Sequence, residues 1–156
     1  MSAARRRAPE PEVFYTLRVV APPPPRVAEV RAHALPEIGV GWTRTLVRAG
    51  ADLVMEYRRF GALTYPLRLY RAWLPVILAA IGDVRAGRVV DMRLYHGDLP
   101  GCRSLRVLSA LRDGEPGLTM RIRATQRLRV GPRPVPVAGA ELDALSRALT
   151  TITRTP

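Results

Sequence analysis

Residues 118–130, LTMRIRATQRLRV, alternate with the period of an extended chain. Met120, Ile122, Ala124, Leu128 and Val130 share one parity, and Arg121, Arg123, Thr125, Arg127 and Arg129 share the other. Successive side chains of a strand point to opposite faces, so this stretch predicts a strand with one apolar and one guanidinium-bearing face. The apolar face calls for a core on that side. The arginine face raises the question of an anionic partner.

A chain of 156 residues is long enough for one domain with a core that needs no covalent staples. With 47% hydrophobic and 24% charged residues the composition is that of a globular protein. The formal net charge of +12 and a pI near 11.4 imply a surface that attracts polyanions. The chain has neither lysine nor asparagine, and Gln126 is its only glutamine, a bias expected of a GC-rich genome. Arginine in place of lysine therefore carries no message by itself. The deficit of acids, 13 against 25 arginines, is less easily put down to codon usage.

The single cysteine, Cys102, excludes an internal disulfide framework and any cysteine-rich zinc site, which fits an intracellular protein, cytoplasmic or nuclear. The basic start MSAARRRAPEPE lacks the apolar segment of a secretory leader, and the longest apolar run, 72–81, is too short to span a bilayer.

In chain order, residues 1–12 read as a disordered basic arm carrying Arg5, Arg6 and Arg7. Residues 13–20, VFYTLRVV, predict a first strand, stopped by Pro22, Pro23, Pro24 and Pro25. That run is a stiff connector, or alternatively a ligand for a proline-binding partner. Pro25 can open a helix through VAEVRAHAL that Pro36 ends. Three strands follow over 42–48, 53–60 and 63–71, with Pro66 placing the last at an edge or a bulge.

Residues 73–85, WLPVILAAIGDVR, change to a helical pattern that is apolar on nearly all sides, the mark of a buried helix. Gly82 within it suggests close packing against a strand. Three more strands are expected at VVDMRLYH, RSLRVLSALR and the opening stretch, with turns over 97–101 and 113–117. After the loop 131–136, residues 141–152 form an amphipathic helix with Leu142, Leu145, Leu149 and Ile152 on one face.

The expected class is α+β: a twisted antiparallel sheet of about six or seven strands, about three helices, and the helix near 73–85 buried against the sheet. Residues 13–152 are one domain and 153–156 a frayed end. A helix followed by three strands occurs twice, a faint internal repetition.

If the strands pair in register, Arg93, Arg106, Arg112, Arg121, Arg123, Arg127 and Arg129 share one surface. Guanidinium groups bind phosphate bidentately, so such a surface, with the arm, suits nucleic acid or another polyanion. The plain alternative is a solvated face, or an edge strand protected by charge. No aromatic lies in 118–130, which favours backbone binding over base reading. His96, Asp98, Cys102 and Ser104 resemble catalytic parts but better suit a turn, and no oxyanion-hole motif, metal-ligand spacing or cofactor loop accompanies them. Trp42, Tyr57, Tyr65, Tyr70 and Trp73 fit either a ligand cavity of helix-grip type or a packed core. The expectation is a non-enzymatic binding protein without cofactor. The alternatives are an assembly subunit acting through a protein partner or a homo-oligomer, and a small-ligand domain.

Overall fold

The computed structural model of the protein describes residues 31–97, 103–124 and 132–154. Strands β1 (His33–Ala34), β2 (Trp42–Ala49), β3 (Asp52–Arg59) and β4 (Ala62–Leu69) lead through a 3-10 turn at Arg71–Trp73 into helix α1 (Leu74–Arg85). Strands β5 (Asp91–His96), β6 (Arg103–Arg112), β7 (Glu115–Ala124) and β8 (Val137–Ala138) follow, and helix α2 (Ala140–Arg154) closes the chain. The strand expected over 13–20, the prolines 22–25 and the arginine arm lie outside the described residues, as does the tail of the opening stretch beyond 124.

The class is α+β, but the single sheet expected from the sequence is two. The strands form a sheet in the order β1-β2-β3-β4 and another in the order β5-β6-β7-β8, antiparallel throughout. The described residues hold two α-helices where three were expected. Turn chemistry decides pairing inside each meander, whereas helix α1 separates β4 from β5 and no strand pairing joins them. The helix predicted from Pro25 through VAEVRAHAL also gives way at its described end. His33 and Ala34 pair with Arg44 and Thr43 instead, and the Leu35 amide donates to the Trp42 carbonyl at 2.8 Å. A residue preceding proline disfavours the helical region, and Leu35 buries its whole side chain from the extended conformation.

Two hairpins turn on the same two-residue geometry with both central residues at positive φ: Phe60–Gly61 and Asp113–Gly114. This is the type I′ turn that matches strand twist. The second turn is thus shorter than 113–117, because Glu115, Pro116 and Gly117 already belong to β7. Pro66 lies on β4, an edge of its sheet, where its missing N–H costs no ladder bond. Leu63 opposes Arg58 and Tyr65 opposes Tyr57, so Thr64 is the extra residue of a bulge.

The inner faces of both sheets and the two helices share one core. Leu46, Leu53, Met55, Leu67 and Leu69 come from the first sheet, and Leu105, Val107, Leu118 and Met120 from the second. Helix α1 supplies Ile77, Ile81 and Val84, and α2 supplies the predicted Leu142, Leu145, Leu149 and Ile152. The chain thus runs twice through four antiparallel strands and then a helix, the short strand coming first in one half and last in the other.

Two glycines have opposite reasons. Gly82 does not pack against a strand: a Cβ there meets nothing within 4 Å, and the residue is exposed on α1. At Gly117 a Cβ would fall 2.3 Å from the Val137 carbonyl oxygen, because β8 pairs closely with β7 at that point. Gly82→Ala is expected to raise unfolding stability by about 0.5–1 kcal/mol, the usual gain in a helix interior. Gly117→Ala should lower it, and urea unfolding of both variants checks the contrast.

Candidate polyanion interface

Registry determines which arginines meet. Arg93 on β5 faces Arg106 on β6, and Arg106 faces Arg121 on β7. Cross-strand partners share a face, so the three form one row across adjacent strands, spanning about 10 Å at the usual strand spacing. The next row holds Tyr95, Ser104 and Arg123. Arg93, Arg106, Arg121 and Arg123 are all exposed, while Leu105, Val107, Leu118 and Met120 take the opposite face into the core. The alternation expected over 118–130 therefore holds through its described part.

Arg112 stands on the same parity but does not join the patch. Its Nε and Nη2 donate to Glu37 at 2.8 and 3.1 Å, and its Nη1 to Glu141 at 3.4 Å. Arg127, Arg129, Arg5, Arg6 and Arg7 lie outside the described residues. Four of the seven expected sheet arginines thus share one described face.

Like charges placed directly opposite one another destabilise a sheet. Asp91 relieves the row at one point, bonding Arg106 at 3.2 and 3.3 Å. Other carboxylates are held elsewhere: Asp52 by Arg68, Glu56 by Arg58, Asp83 by Arg88 and Asp143 by Arg85. Among the described residues no carboxylate pairs with Arg93, Arg121 or Arg123.

The sequence also concealed a buried cation. Arg44 is 1% exposed, and its guanidinium uses every N–H. Nε and one Nη2 bond reach the Glu141 carboxylate, the latter at 2.6 Å. Nη1 donates to the Tyr57 hydroxyl at 2.9 Å and the Val135 carbonyl at 2.8 Å, and Nη2 to the Pro136 carbonyl at 3.2 Å. Burial pushes this guanidinium down, but the hydrogen bonds and attraction from Glu141 and Tyr57 outweigh it, so Arg44 is held above its ordinary value and stays charged. A signal existed: Arg44 lies on the apolar parity of Trp42 and Leu46.

The parts that resembled a catalytic group do not assemble in the described residues. His96 stacks flat on Tyr70, ring centroids 3.6 Å apart, whereas Ser104 is buried on the opposite parity of the sheet. Asp98 and Cys102 lie outside the described residues, and no metal-binding cluster occurs among the rest. Of the aromatics considered for a cavity, Trp73 is buried in the core with its Nε1 donating to the Tyr95 carbonyl at 3.0 Å. Tyr57 serves Arg44 and meets Tyr65 at 5.8 Å, and Trp42 packs at the margin of the core. Tyr70, His96, Asp52, Arg68 and Arg71 line an open cleft of about 580 Å³ instead. No helix of the described residues is long and apolar enough to cross a membrane.

Removing Arg44 strands Glu141 and two carbonyls away from water. Arg44→Met is expected to cost about 3–5 kcal/mol in denaturant unfolding, the usual result of breaking a buried pair. Adding Glu141→Leu should recover only part of this, since the Val135 and Pro136 carbonyls still lack a donor. Glu37 supplies the acid-sensitive link. A backbone hydrogen bond and then Arg112 hold its carboxyl below the ordinary 4.5, so its contribution is present at neutral pH and lost as the pH falls through that lowered value. Glu37→Gln should therefore flatten the acid limb of stability against pH, a small effect at a residue this exposed.

No protein-family model, curated protein or solved structure matches this chain, and the functional reading rests on its side chains alone.

Proposed function

We propose that the protein is a non-enzymatic, intracellular binding protein that holds a phosphate polyanion, nucleic acid being the instance that best fits, on the outer face of its second sheet. The observation that carries this reading is the Arg93–Arg106–Arg121 row with Arg123 beside it. Asp91 offsets only Arg106, so Arg93 and Arg121 keep their charge uncompensated on the same face, and an anion laid across the row supplies the pairing they lack. A phosphate backbone supplies charge at regular intervals and accepts the forked N–H pairs of arginine. The net charge of +12 adds long-range attraction that brings such a polymer to the surface.

Each phosphate contact displaces a counterion, so affinity for a labelled oligonucleotide should fall steeply with salt. Replacing Arg93 and Arg121 by alanine should make the slope of log affinity against log salt shallower by roughly two, about one for each lost phosphate contact. Arg85→Ala with Arg88→Ala removes the same charge from the end of helix α1 and the segment just after it, the helix packing against the inner side of the second sheet. That control should leave the slope nearly unchanged. Equal effects from the two pairs, or binding indifferent to salt, would remove the reading.

A further inference from the structure

We infer that the polyanion is single-stranded nucleic acid, with an unpaired base stacked on Tyr95 while its phosphates lie along the arginine row; this rests on the polyanion reading above. Tyr95 is 65% exposed, a large aromatic left in water although a core lies on the other side of its strand. It stands two residues from Arg93 on β5, so ring and phosphate row are separated by about 7 Å, one repeat of the strand. β5 is an edge of its sheet, and the cross-strand neighbour of Tyr95 is the small, buried Ser104. No bulky partner on β6 covers the ring.

The chain beneath the ring is pinned. The Tyr95 carbonyl accepts the bond from Trp73, and the adjoining His96 lies against Tyr70. A tyrosine on a fixed backbone has only two side-chain torsions to order on binding, which makes it a ready platform for a flat ligand. Arg123, in the same row, can pair with the following phosphate or stack on a base through its planar guanidinium. A duplex keeps its bases stacked on one another and offers no face to such a ring. A single strand does, and aromatic stacking accepts any base. The sequence pointed away from this reading because 118–130 contains no aromatic; the ring comes from β5, two strands distant in the sheet.

The test measures binding of a short labelled single strand and of a duplex of equal length by fluorescence anisotropy over a range of salt. The wild-type protein should prefer the single strand and quench a 2-aminopurine placed in it. Tyr95→Ala should weaken single-strand binding by about five-fold or more, the range found for one stacked base. It should abolish the quench yet leave the salt slope and the duplex affinity alone. Tyr95→Phe, which keeps the ring, should bind like wild type. Salt-dependent wild-type binding with an unaltered Tyr95→Ala affinity, or equal affinity for duplex and single strand, would overturn the stacking while the arginine row stands. Absence of salt-dependent binding to either probe would overturn both.

Discussion

Arg44 is the constraint on which the rest of this fold depends. A guanidinium taken out of water is tolerated only when its charge is paired and its donors are all accepted. Five accepting contacts do this, and they come from β3, from the segment preceding β8 and from the first turn of α2. One side chain of the first sheet thereby fixes where the closing helix begins and where the chain returns to the second sheet. Glu141 extends the contact to Arg112 on β6, and Arg112 extends it to Glu37 in the turn between β1 and β2. The two sheets share no strand pairing, yet a continuous ionic chain joins them beside the shared apolar core.

That chain also shapes the charge pattern of the surface. Glu141 is buried against Arg44, Glu37 is bound to Arg112, and other acids sit beside arginines of the first sheet and of the end of α1 and the segment after it. In a chain with 13 acids and 25 arginines, acids gathered there are missing elsewhere. The outer face of β5, β6 and β7 shows the shortage: among the described residues, Asp91 is the one carboxylate bonded within its arginine row. The fold thus gathers part of the charge excess read from composition on one face.

Much of the local structure was legible. The six longer strands follow from period-two alternation and turn residues, and α2 from four apolar positions at helical spacing. Their partners within each meander follow from the hairpin turns. The division into two sheets was not legible, because it depends on how β4 and β5 are placed around α1, a tertiary choice that leaves no periodic trace. Strands β1 and β8 have two residues each, too few for a period, and β1 overrode a plausible helical reading of VAEVRAHAL. The buried ion pair escaped because Arg44 and Glu141 are 97 residues apart, though an arginine among inward-facing positions was visible. Tyr95 shares the parity of Arg93, but only the pairing with β6 places it beside the arginine row.

Strand register is the hinge between this sequence and any function of its sheet, since a slip of one residue would exchange the arginines for the core side chains. Two local features hold β7 in place. The Asp113–Gly114 turn, with both residues at positive φ, sets Arg112 opposite Glu115 and so every later pair along β6 and β7. On the other side, Gly117 is the position at which β8 approaches so closely that no side chain fits, and a shifted β7 would bring Pro116 or Leu118 there. β8 in turn follows Val135 and Pro136, whose carbonyls are bound to Arg44. The inward arginine therefore helps to aim the outward ones: by holding the segment that clasps β7, it keeps Arg121 in line with Arg106 and Arg93, and Arg123 in line with Tyr95.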